Sequence, residues 1–120
     1  MIVEDDPNMA YLAEIICKTL NISKSIEISH NPNDALVKIQ SSGKPDLILL
    51  DLNLPQIDGF EFLEKLSECI ENHKNIKVVI VSCSDNFEDI EKAKRYPNVI
   101  KYFTKPFTIE KAKEIAMQVA

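Results

Sequence analysis

Residues 47–59 read Leu-Ile-Leu-Leu-Asp-Leu-Asn-Leu-Pro-Gln-Ile-Asp-Gly. Leu47 to Leu50 form a wholly apolar run that stops at Asp51. An unbroken apolar run of that length suits a strand buried on both faces, as in a parallel sheet between helical layers. Pro55 and Gly59 impose a turn before the next periodic segment, which leaves Asp51 at the carboxyl end of the strand. In open α/β sheets that edge is where ligands bind. A carboxylate there is a metal ligand, a nucleophile or a cap, and the rest of the chain must distinguish these.

Outward from this stretch, the same pattern recurs on both sides. Met1 to Val3 are apolar and stop at Glu4-Asp5-Asp6. Three residues are few beside a mean strand of about 5–6, so the first strand is expected to be short or trimmed at the amino terminus. Met9, Leu12, Ala13, Ile16, Cys17 and Leu20 then recur at helical spacing, with Asp6 as N-cap and Pro7 at the first helical position. Ser25 to Ser29 alternate as a half-exposed edge strand. Asn31-Pro32 opens a helix through Ala35, Leu36 and Ile39 that closes at Gly43.

Beyond the central stretch, Phe62, Leu63, Leu66 and Ile70 share one helical face. Ile76 to Val81 form another apolar run, broken by Lys77 and ending in Ser82-Cys83-Ser84-Asp85. A weaker helix passes through Phe87, Ile90 and Ala93. Val99 to Phe103 read as the last strand, ended by Thr104-Lys105-Pro106, and Ile109, Ala112, Ile115, Ala116 and Val119 mark a final helix. Five strands alternating with five helices require a parallel sheet, and right-handed crossovers put helices on both faces. The expectation is one doubly wound (βα)5 α/β domain over residues 1–120.

Composition agrees. The chain is 45% hydrophobic, 28% charged and carries a net charge of −5, which argues against direct nucleic-acid binding, since phosphate contacts want a basic face. No apolar run approaches the roughly 20 residues of a membrane span, and no signal peptide opens the chain. Cys17, Cys69 and Cys83 are odd in number, widely spaced and lack a C-x-x-C pattern. They are expected to be buried thiols of a reduced, cytoplasmic protein. His30 and His73 are expected at the surface, in loops.

Parallel strands bring all their carboxyl ends to one edge. Glu4 and Asp5 follow the first strand, Asp51 the third, Ser82 the fourth and Lys105 the fifth. Two unit charges 4 Å apart interact by about 4 kcal/mol at an effective dielectric of 20, so three gathered carboxylates need a cation, a proton or the Lys105 charge. All-oxygen ligands are what Mg²⁺ prefers. A hydroxyl and an ammonium opposite them complete a phosphoryl site, with Asp51 as nucleophile. Taken singly, each residue has an ordinary reading: Asp51 as a turn former, Glu4-Asp5-Asp6 as a solvated turn, Ser82 as a loop serine, Lys105 as surface charge. Their conjunction at four strand ends favours the site.

The segments Ile-Val-Glu-Asp-Asp (2–6), Asp-Leu-Asn-Leu-Pro-Gln-Ile-Asp-Gly (51–59), Val-Ile-Val-Ser (79–82) and Tyr-Phe-Thr-Lys-Pro-Phe (102–107) carry a family resemblance. The chain resembles the receiver (response-regulator) domain of two-component signalling, similar to the single-domain chemotaxis regulator. The resemblance implies a flavodoxin-like sandwich with strand order 2-1-3-4-5. It implies that Asp51 accepts a phosphoryl group from a sensor histidine kinase or His-phosphotransfer protein. Asp5 would bind Mg²⁺ directly, Glu4 through water, with Asp51 and the Asn53 backbone carbonyl as further ligands. Lys105 would pair with the phosphoryl group, and the Lys105–Pro106 bond would be cis. Ser82 and Tyr102 would switch, repacking the fourth helix, last strand and fifth helix against an unidentified downstream effector. Asn53 and Ser84 would modulate phosphoryl lifetime.

An enzyme is the competing class, namely an aspartate-nucleophile phosphohydrolase of haloacid-dehalogenase type. Those enzymes put a second Asp two residues after the nucleophile, and here that residue is Asn53, which cannot titrate. A flavodoxin-like cofactor binder fails because acids, not a phosphate loop, follow the first strand. The expectation is therefore a switch that catalyses only its own phosphorylation and dephosphorylation.

Overall fold

A computed structural model describes residues 1–119, with the backbone alone for Val119; the expected part of Val119 in the last helical face lies outside the described side chains. Five parallel strands, β1 (Ile2–Val3), β2 (Ile28–Ser29), β3 (Leu47–Leu50), β4 (Lys77–Ser82) and β5 (Val99–Thr104), alternate with α1 (Pro7–Thr19), α2 (Pro32–Ser42), α3 (Gly59–Cys69), α4 (Phe87–Ala93) and α5 (Ile109–Val119). The sheet order is β2-β1-β3-β4-β5, as the resemblance implied.

Each strand alternates its side chains between two cores, because successive residues point to opposite faces. Ile2, Leu49, Val79 and Val81 pack with Ala10, Ala13, Ile16 and Cys17 of α1 and Ala112 and Ile115 of α5. Val3, Ile48, Leu50, Val78 and Ile80 pack with α2 and α3 through Leu36, Ile39, Phe62, Leu63 and Leu66. That two-sided burial is why β3 and β4 read as continuous apolar runs.

Helix starts follow local chemistry. The Asp6 side chain accepts from the N–H groups of Asn8 and Met9, Asn31 from those of Asn33 and Asp34, and Asp58 from that of Glu61. Gly43 ends α2 at φ +104°, a backbone region open to glycine. At Gly59 the reason for glycine is close approach. A Cβ there would lie 2.8 Å from Leu52 Cα and 3.0 Å from the Asp51 carbonyl oxygen, so this residue lets α3 start against the end of β3.

Several expectations need correction. The second strand spans Ile28–Ser29 rather than residues 25–29, because its partner β1 has two residues to offer. Cys17 is buried, but Cys69 and Cys83 are exposed. Cys69 closes the last turn of α3, and Cys83 lies in the β4–α4 loop, where helical or strand spacing no longer points a side chain inward. Leu12, Ile109 and Phe87 also face solvent, Phe87 at 73% exposure. His30 is exposed, whereas His73 is half-buried and starts a 3₁₀ turn, His73–Asn75. No helix among the described residues is long and apolar enough to cross a membrane.

Candidate functional site

All five strands deliver their last residues to one edge. Asp51 follows β3 directly and is buried, as is Glu4 after β1, while Asp5 is exposed. One carboxylate oxygen from each of Glu4, Asp5 and Asp51 lies within 4.8 Å of the others. Lys105 reaches in from the end of β5. Its Nζ donates to Glu4 Oε1 at 2.9 Å and to Asp51 Oδ2 at 3.1 Å. The other Asp51 oxygen accepts the Asn53 N–H at 3.0 Å.

The register explains how Lys105 arrives there. Ser82 pairs with Thr104, after a shift in the β4–β5 ladder between Val78 and Val79. Lys105 is thus the first residue past Ser82 on the neighbouring strand, and its backbone N–H donates to the Ser82 carbonyl at 2.7 Å. The Lys105–Pro106 bond is cis.

Charge is unbalanced at this site. One ammonium serves two buried carboxylates, with a third beside them. Burial pushes the Glu4 carboxyl up from 4.5 to about 7; the neighbouring Asp51 adds to the rise and Lys105 opposes it. For Lys105, burial works against the charged form, but its bonds to Glu4 and Asp51 prevail and raise it above the ordinary lysine value. A crowded set of hard oxygen donors with surplus negative charge fits a divalent cation such as Mg²⁺ or Mn²⁺. The acidic cluster could hold a metal ion.

Ser82 is fully buried at the end of β4. Its hydroxyl oxygen accepts the Ser84 N–H at 3.1 Å. Tyr102, half-buried on β5, donates its hydroxyl to the Ser84 carbonyl at 2.7 Å. Ser84 in turn donates its own hydroxyl to Asp89 Oδ2 at 2.8 Å, and its oxygen accepts the Asn86 N–H at 3.1 Å. Ser82 and Tyr102 therefore meet through one residue, which also ties the loop to the start of α4.

Three contacts were not foreseen. His30, read as an isolated surface residue, has Nδ1 2.9 Å from the Glu4 carbonyl oxygen. The Gln56 side-chain oxygen accepts from Asn31 Nδ2 and Asn33 Nδ2, both at 3.1 Å, and Gln56 itself sits at φ +69°. This pins the loop that follows Asp51 to the start of α2. None of these has a signature in spacing, since each joins segments more than 20 residues apart.

Comparison with known proteins agrees with this geometry. Residues 1–117 match the family described as "Response regulator receiver domain". The probable C4-dicarboxylate response regulator DctR of Halalkalibacterium halodurans is 27% identical over 98% of this chain and 49% of its own length. Response regulator Rcp1 of Synechocystis is 33% identical over 75% of this chain and 65% of its own. The chain thus spans about half to two thirds of these curated relatives. Among solved structures, a two-component response regulator from Cytophaga hutchinsonii superposes with a TM-score of 0.89 at 24% identity, over 98% of this chain and 92% of that one. The Mn²⁺-bound form of Rcp1 superposes at 0.78 with 28% identity, over 98% and 88%. A match across nearly the whole chain, joined to this sheet order and this strand-end cluster, makes the chain a member of the response-regulator receiver domain family of two-component signalling.

Proposed function

We propose that the chain is a phosphorylation-controlled switch in which Asp51 accepts a phosphoryl group from a sensor histidine kinase or His-phosphotransfer protein. The observation that carries this is the Lys105 ammonium, held by Glu4 and Asp51 at 2.9 and 3.1 Å beside the Asp5 carboxylate. An Asp51 oxygen attacks phosphorus, the donor's phosphorus–nitrogen bond breaks, and its electron pair returns to the donor imidazole. Lys105 then pairs with the phosphoryl oxygens, and the Ser82 hydroxyl turns from the Ser84 N–H to donate to one of them.

Glu4, Asp5, Asp51 and the Asn53 carbonyl would hold Mg²⁺, which when bound neutralises charge on the phosphoryl oxygens. The Mn²⁺ form of Rcp1 supports a divalent ion in this setting. Apart from turning over its own acyl phosphate, the domain acts by binding. Its output is expected through α4, β5 and α5, toward an effector that the sequence does not name. A near-complete flip between two states takes about 5.5 kcal/mol of differential binding. One charge-assisted hydrogen bond supplies about 1.5–3 kcal/mol, so Ser82, Lys105 and the cation must act together, with Ser84 relaying the movement to Tyr102.

Intact-mass measurement after incubation with Mg²⁺ and acetyl phosphate tests this. A gain of about 80 Da, one phosphoryl group, is expected, lost in Asp51→Asn and in excess EDTA. Labelling that persists in Asp51→Asn would refute the assignment.

A further inference from the structure

Lys111 stands in the first turn of α5, where the helix dipole disfavours a cation and favours an acid such as its neighbour Glu110. Its backbone N–H is taken by Thr108 Oγ1 at 3.2 Å. The side chain folds back out of the helix, and Nζ donates to the carbonyl oxygens of Thr104 and of Pro106, the latter at 2.8 Å. These are the two residues that bracket Lys105. The segment between β5 and α5 belongs to no helix or strand, and Pro106 has no N–H to anchor it. The Lys105 N–H donates to the Ser82 carbonyl, and the Lys111 ammonium ties together the carbonyls of the residues on either side of it.

Orientation matters at this point because Lys105 acts at the end of a four-carbon stem. A small rotation about its backbone carries Nζ out of reach of Glu4 and Asp51 together. We infer that Lys111 is a positioning residue for Lys105: by clamping the Thr104 and Pro106 carbonyls it aims the Lys105 ammonium into the carboxylate cluster. The inference rests on the reading of Lys105 as the group that pairs with the transferred phosphoryl.

The test compares the wild type, Lys111→Met, Lys111→Arg, Lys105→Gln and the double variant Lys105→Gln/Lys111→Met. Two quantities are read: the rate of Asp51 labelling by acetyl phosphate at saturating Mg²⁺, and the Lys105 ¹⁵Nζ resonance in metal-free protein. A displaced catalytic group costs up to about 100-fold. Lys111→Met is expected to slow labelling about tenfold and to move the Lys105 resonance. Lys111→Arg, which keeps the donors, is expected to restore both. In the Lys105→Gln background Lys111→Met is expected to cost nothing more. A labelling rate and a Lys105 resonance both unchanged in Lys111→Met would overturn the inference. So would a further tenfold loss on top of Lys105→Gln, which marks a merely structural role. If the wild type takes no phosphoryl group yet Lys111→Met still moves the Lys105 resonance, the phosphoryl reading fails and the positioning stands.

Discussion

Glu4 and Asp51 share the charge of Lys105, and burial, with Asp51 beside it, pushes the Glu4 carboxyl up. Its folded-state value near 7 exceeds the ordinary 4.5, so the metal-free native state binds more protons than the unfolded chain between these limits. Stability from this group therefore falls as pH rises from about 4.5 to about 7 and is level above. Glu4→Gln cannot ionise. In EDTA its stability relative to wild type is expected to improve, on the order of 1–2 kcal/mol, between pH 5 and pH 7.5; urea unfolding at the two pH values checks it. A cation held there as proposed would reverse the preference by requiring the carboxylate. At pH 6, Mg²⁺ binding is expected to release a proton, seen as a calorimetric heat that changes with the buffer's ionisation enthalpy. Gly59 bears on the same site through sterics. Gly59→Ala would drive a methyl into the Leu52 backbone at 2.8 Å and is expected to cost about 1–3 kcal/mol in urea unfolding. The carboxylates, Ser82 and Lys105 were legible because each ends an apolar run. His30 and Lys111 were not, because their partners are backbone carbonyls, which every residue possesses.

Among the elements, α4 is the weakest by construction. Of its seven residues Ala93 alone is buried, and Phe87 faces solvent. Its anchors are the Asn86 cap, the Ser84–Asp89 bond and Lys92 over the Phe60 ring at 4.5 Å. Amide exchange is expected to be faster in α4 than in α3, which buries five residues; slower exchange there would count against a movable output face. Hydrophobic spacing located all five helices, since their faces meet a flat sheet and must repeat every three or four residues. It failed at their ends. Cys69 lies in the last turn of α3 and Ile109 in the first turn of α5, and both face solvent although their spacing promised burial. The residues 25–27 looked like strand by alternation, but a strand needs a partner, and β1 is two residues long.

For the molecule as a whole, folding itself assembles the acidic cluster proposed to hold the ion, so an ion bound there is expected to stabilise the fold in return. Free Mg²⁺ at 100 times its dissociation constant adds about 2.7 kcal/mol if it binds the native state alone. The urea midpoint is expected to rise with Mg²⁺, to fall back in EDTA, and to respond little in Asp5→Asn. The fold class was readable because alternation of strand and helix leaves few topologies, and parallel strands leave one edge for the chemistry. Side-chain bonds across that edge depend on register, which the β4–β5 shift sets and no spacing announces. The same parallel order has an electrical result. Every helix begins where the strands finish, so the positive ends of α1 and α3 face the rim that Glu4 and Asp51 occupy. Each such terminus favours nearby negative charge by about 0.3–1 kcal/mol. The scaffold itself therefore eases the crowding of carboxylates at that rim, whatever the side chains do.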